Sequence, residues 1–220
     1  MRTVVFDLDG TLADTSADLL AAANACFRDL GHGDLLTAAD ALTAFHGGRA
    51  MLRLGFSRLG HPADEAAVDA QYPRLLRAYA DGIDTHTRLY PGAIAAVQAL
   101  RSRGFALAIC TNKPAGLAET LMHRLGVRDL FGALVGADTL PTRKPDAAPY
   151  VASVERAGGR VDRSMLLGDT ETDRKTGLAA GVPVALVTFG PEGRSIERLR
   201  PEALLDHFDD LPDLAERMLR

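Results

Sequence analysis

The chain has 220 residues, of which 47% are apolar, 5% aromatic and 25% charged, and its formal net charge is −4. That length holds one large domain or a core with a smaller insert, and the apolar share suffices for a substantial core. Both signs of charge are interspersed without a basic run, so the composition makes no case for nucleic acid or a membrane surface as a partner.

Residues 3–6 are short, apolar and largely β-branched, and the run stops abruptly at Asp7. This predicts a fully buried parallel strand. Residues 15–87 break any strand rhythm and read as consecutive helices. Leu19, Leu20, Ala23, Phe27 and Leu30 share one helical face, closed by Gly31 and Gly33. Thr15 and Thr37 each precede an Asp by three residues, a variant of the N-terminal capping pattern. Met51, Leu52, Gly55, Phe56 and Leu59 form a second stripe, and Val68, Tyr72, Leu75, Leu76 and Tyr79 a third, in which Pro73 is expected to bend the helix.

Tyr90-Pro91-Gly92 marks a return to alternation. Residues 105–110, 133–135, 164–167 and 182–187 repeat the buried-strand character, with helical patterns between them. Ile94, Val97 and Leu100 make one apolar stripe, stopped by Gly104. Pro114 is placed to open the next helix and Gly126 to close it, while Pro145 and Gly158 bracket another. The expected fold is therefore α/β: a Rossmann-like parallel sheet over residues 1–14 and 88–220, with an inserted α-helical cap domain over residues 15–87. Such sheets bind ligands beyond the carboxyl ends of their strands. Cys26 and Cys110 lie far apart without metal-type spacing and are expected to be buried, reduced thiols. No segment approaches the roughly 18 apolar residues of a membrane span, and no leader pattern precedes the first strand, so a cytoplasmic location is expected. Oligomeric state is left open.

Four polar clusters fall at or near the predicted strand ends: Asp7-Leu8-Asp9-Gly10-Thr11, Thr111-Asn112-Lys113, Lys144-Pro145, and Gly168-Asp169-Thr170-Glu171-Thr172-Asp173. In a parallel sheet all four converge on one edge. Paired carboxylates there suit an Mg²⁺ ion with oxygen ligands. Lys144 and the Thr111 hydroxyl suit the oxygens of a phosphate.

These motifs, in this order and with a helical insert after the first, resemble the haloacid dehalogenase superfamily, in its phosphatase branch. Within that branch Phe6-Asp7-Leu8-Asp9-Gly10-Thr11-Leu12, Tyr90-Pro91-Gly92, Thr111-Asn112-Lys113-Pro114 and Lys144-Pro145-Asp146 look most like phosphoglycolate phosphatases. The resemblance implies a phosphatase acting on a small phosphorylated metabolite, 2-phosphoglycolate first among the candidates. It implies Asp7 as a nucleophile that becomes an aspartyl phosphate, and Asp9 as general acid and then base. Thr111 and Lys144 would bind the phosphoryl oxygens, with Asn112 shaping the same pocket. The metal set would be Asp7 and Asp169, the backbone carbonyl of Asp9, and Asp173 directly or through water. Lys113 is read either as part of the phosphate pocket or as solvent-facing. Arg49, in His46-Gly47-Gly48-Arg49, is a candidate for the substrate's carboxylate or a solvated residue of a helix–helix turn. A sugar-phosphate phosphatase, a pyrophosphatase and a phosphomutase share much of this pattern. A phosphoryl-accepting signalling module is the reading from another class, against which Asp9 and the insert favour turnover.

Overall fold

The computed structural model describes residues 1–60 and 64–220. In chain order these form β1 (Thr3–Phe6), β2 (Ala13–Asp14), α1 (Ser16–Asp29), α2 (Ala41–Phe45), α3 (Gly48–Arg58), α4 (Glu65–Asp81) and β3 (Arg88–Leu89). Beyond them lie α5 (Ala93–Ser102), β4 (Ala106–Cys110), α6 (Ala115–Arg124), β5 (Ala133–Val135), α7 (Ala147–Arg156), β6 (Ser164–Gly168), α8 (Glu171–Ala180), β7 (Val184–Val187), β8 (Ala203–Leu205) and α9 (Leu211–Met218). Two compact units result: Met1–Ala13 with Leu89–Arg220, and Asp14–Arg88.

The first unit is a parallel sheet in the order β5-β4-β1-β6-β7-β8. Every residue of β1 is buried, and its register matches Phe6 with Ile109 of β4 on one side and Leu167 of β6 on the other. A strand paired on both edges and covered on both faces needs an unbroken apolar run, which is what residues 4–6 supply. Side chains alternate between faces along each strand. Val5, Ala108, Cys110, Leu166, Val184 and Leu186 share one buried cluster, onto which Tyr150 and Val154 pack one helical turn apart from α7. Tyr150 keeps its hydroxyl satisfied there through Ser164 Oγ at 2.7 Å, which in turn donates to Val161 O. Phe6, on the opposite face, meets Phe131 edge-on at 5.7 Å.

The sheet has six strands among the described residues, one more than the sequence pattern predicts. The addition is β8, whose Ala-Leu-Leu carries no β-branched residue and is set by pairing with β7. At 105–110 and 182–187 the strands begin at Ala106 and Val184, because Phe105 and Val182-Pro183 lead into the sheet. Pro114 stands one place ahead of its expected position, just before α6.

The second unit is built of α1–α4. Leu20, Ala23 and Phe27 of α1, Met51 and Leu52 of α3, and Val68, Leu75 and Tyr79 of α4 are buried, whereas Leu30 is exposed. Gly55 lets α3 approach α1 closely: a Cβ there would lie 2.1 Å from the Phe27 ring. Helix α4 runs on through Pro73. The Thr37 capping pattern is present, with Asp40 accepting from Thr37 N at 2.8 Å, but it opens only a single 3₁₀ turn and the short α2. At Thr15 the pattern misleads. The buried Asp18 carboxylate instead accepts from His86 N, Thr87 N and Thr87 Oγ1 at 2.8–3.0 Å, tying the first helix of this unit to its last residues.

Candidate active site

Asp7 is the first residue past β1, held by its own N–H donating to Leu167 O at 2.9 Å. Thr111 holds the same place after β4 through its N–H on Val135 O, also 2.9 Å. Asp169 comes directly after β6. The order of the sheet thus sets three chain-distant segments side by side at its carboxyl edge.

Lys144 reaches this edge with its ammonium 2.9 Å from Asp7 Oδ2 and 2.7 Å from Asp173 Oδ1. Its side chain is 2% exposed, so the ammonium depends on those two carboxylates for stabilisation. Burial alone would lower the Lys144 pKa, but Asp173 and Asp7 outweigh it and hold the proton more tightly than usual. Asn112 Nδ2 donates to Lys144 O at 3.0 Å and braces that segment.

Asp173, in the first turn of α8, accepts hydrogen bonds on both oxygens. Its Oδ2 accepts from Asp169 N, Thr170 N and Thr170 Oγ1 at 2.6–3.2 Å. Gly168 makes room for it, since a Cβ there would fall 2.3 Å from Asp173 Cγ. Asp169 accepts from Thr11 Oγ1 on Oδ1 at 2.7 Å, and its buried Oδ2 has no hydrogen-bond partner among the described residues. Gly10, at φ 83°, passes so close that a Cβ would sit 2.2 Å from that oxygen.

Oxygens of Asp7, Asp169 and Asp173 lie within 4.8 Å of one another, all buried. Three carboxylates face one ammonium, which leaves two negative charges when all are ionised. Burial pushes Asp7 up to about 6 despite the pull of Lys144, and burial with the Asp173 and Asp7 charges raises Asp169 well above the carboxylate range. A divalent cation with oxygen ligands matches both the charge and the orphaned Asp169 oxygen. The residues fit such an ion.

Asp9 lies outside that cluster. Its carboxylate accepts from Lys113 Nζ at 2.7 and 3.0 Å. This contact was not foreseen from the sequence, nor were the roles of Thr11 and Gly168. Only the neighbourhood of Lys113 to Thr111 in the chain hinted at it. Arg49, in the helical unit, is paired with Asp69 and lies over the Tyr72 ring at 4.6 Å. Cys26 and Cys110 are buried free thiols, and burial raises Cys110 to about 12, which keeps it inert.

Residues 4–187 match the family model described as haloacid dehalogenase-like hydrolase. A phosphoglycolate phosphatase of Mesorhizobium japonicum is 39% identical over 99% of this chain and 96% of its own length. Another, from Cereibacter sphaeroides, is 36% identical over the whole of both chains. Among solved structures, one from Haemophilus somnus described as a predicted phosphoglycolate phosphatase superposes with a TM-score of 0.84 at 23% identity, covering 97% of each chain. A hydrolase from Pseudomonas syringae gives 0.78 at 18% identity over the full length of both. Within the described residues, no helix is long and apolar enough to cross a membrane.

Proposed function

The chain belongs to the haloacid dehalogenase-like hydrolase family, and from that premise we propose that it is a Mg²⁺-dependent phosphatase of small phosphate monoesters whose substrate is 2-phosphoglycolate. The observation that carries the reading is Asp7: a carboxylate at a strand end, held by Lys144 and facing two further carboxylates. The relatives named phosphoglycolate phosphatase support the substrate.

Asp7 attacks phosphorus, forming an O–P bond as the bond to the leaving alkoxide breaks. Asp9 gives its proton to that alkoxide and then takes one from the water that cleaves the aspartyl phosphate. Thr111 and Lys144 hold the phosphoryl oxygens, and Asn112 keeps the Lys144 segment in place. Asp7, Asp169, the Asp9 carbonyl and Asp173 would hold Mg²⁺, Asp173 directly or through water. Bound there, the ion supplies positive charge to the phosphoryl group. The helical unit, residues 15–87 of the proposed cap, contributes Arg49 as a further candidate for substrate contact. A cytoplasmic location belongs to the same reading.

The test is phosphate release from a panel of esters that includes sugar phosphates and pyrophosphate, with and without Mg²⁺. Preference for 2-phosphoglycolate, abolished by chelation and by Asp7→Asn, is expected. Preference for another ester would replace the substrate. Phosphate transferred to a second sugar oxygen without release would make the enzyme a mutase. A stable phosphoprotein without turnover would overturn the hydrolytic reading altogether.

A further inference from the structure

Lys113 is the basic residue of the site that the proposed reaction leaves without a task. Its backbone is fixed from both sides: its N–H donates to Thr111 Oγ1 at 3.2 Å, and its carbonyl accepts from Ala137 N at 2.9 Å. Gly136 allows this, because a Cβ there would lie 2.8 Å from the same carbonyl oxygen. The side chain is 3% exposed and ends 2.7 Å from Asp9 Oδ1. A lysine so buried is not solvating a surface.

We infer that Lys113 recognises a negative charge on the leaving group of the substrate, and so acts as the residue that selects a phosphorylated hydroxy acid over neutral phosphate esters. The inference rests on the proposed reaction, in which Asp9 faces the ester oxygen it protonates. In 2-phosphoglycolate one methylene separates that oxygen from the carboxylate. A cation in hydrogen-bond contact with Asp9 is therefore beside the carboxylate, and on the leaving-group side of phosphorus. The other buried lysine, Lys144, sits on the nucleophile's side, bridging Asp7 and Asp173. Arg49 is a poorer reader of that charge, since Asp69 already meets its guanidinium and its side chain is 42% exposed. An ammonium acts as a point charge with three donors, which lets one lysine serve two carboxylates at once. A neutral leaving group gains nothing from it.

The test compares kcat/KM for 2-phosphoglycolate and 2-hydroxyethyl phosphate, which has CH₂OH in place of the carboxylate, in wild type, K113M and K113R. Loss of the Asp9 contact is expected to slow K113M on both esters. 2-Phosphoglycolate should lose a further factor of about 10–100, carried mainly by KM, the range expected for one charged hydrogen bond. K113R should keep the preference. Equal losses on both esters would show that Lys113 acts only through Asp9 and would overturn the inference while leaving the substrate intact. Melting curves establish that each variant is folded, and K113Q replaces K113M if it is not. Wild-type enzyme that hydrolyses the two esters equally well would overturn the inference without any variant. Wild-type enzyme that hydrolyses other esters but not 2-phosphoglycolate would overturn the substrate and the inference together.

Discussion

Two carboxylates two residues apart, Asp7 and Asp9, have been given different surroundings. Asp7 faces Lys144 and the buried acids of the β6–α8 turn, while Asp9 faces Lys113. Groups placed this differently can divide the work of attack and proton transfer. Asp9→Asn is expected to lower kcat by about 10²–10⁴-fold, the usual share of one acid–base group. Its affinity for Mg²⁺ should stay within a few-fold of wild type, because the Asp9 side chain is not one of the three clustered carboxylates. Steady-state kinetics with a magnesium titration checks both. A large loss of Mg²⁺ affinity would instead make the Asp9 carboxylate part of the metal site. Asp7 and Asp9 are visible in the sequence as a pair, but the cation facing each is not.

At the scale of elements, the helical unit is held at its ends by Asp18. The carboxylate stands in the first turn of α1 and accepts from the backbone of His86 and Thr87. An acid at a helix start is ordinarily read as a cap or a dipole partner. Here it replaces secondary-structure hydrogen bonding for residues 68 and 69 positions further along the chain. Asp18→Ala leaves the buried Thr87 N–H without this acceptor and is expected to cost about 1–3 kcal/mol. Urea denaturation monitored by circular dichroism measures it, and a change within a few tenths of a kcal/mol would show that other groups or water take over the role. Thr37 and Asp40 obey the capping pattern and Thr15 and Asp18 do not, although the spacing is identical. The difference is that the backbone N–H groups of residues 86–87 donate to Asp18.

At the scale of the whole molecule, the buried acids store a pH dependence. Burial raises Asp7 from 3.8 to about 6 in the metal-free protein, and Asp169 is raised as well. A carboxyl raised on folding contributes stability that is complete below its unfolded pKa and lost as pH climbs through the folded one. For Asp7 that loss falls between 3.8 and about 6. In the proposed reading Mg²⁺ would compete with protons for the same oxygens, so it is expected to raise the melting temperature more at about pH 7.5 than at about pH 5. Carboxylates outside the cluster that arginines hold low, such as Asp40 beside Arg58, have the opposite sign but contribute alike with and without the ion. Thermal melts with and without Mg²⁺ at the two pH values check the difference. An equal gain at both would place the ion elsewhere.

Five of the six strands of the main sheet, the stripes of helices α1, α3 and α4 and the four polar clusters could all be read from residue order. Each depends on a local pattern: an unbroken apolar run for a doubly covered strand, a 3.6-residue stripe for a helix packed on one side, or polar residues where a strand must end. Tertiary structure alone decided what no local pattern encodes. It made Ala203–Leu205 a strand by offering it the open edge of β7. It set Thr11 on Asp169 across 158 residues and Lys113 on Asp9 across 104. It also left one oxygen of Asp169 buried without a partner among the described residues, in the place a cation fits. Burial patterns recur along the chain because each element must hide one or both faces, whereas a charge takes its partner from whichever segment the sheet order brings within about 3 Å.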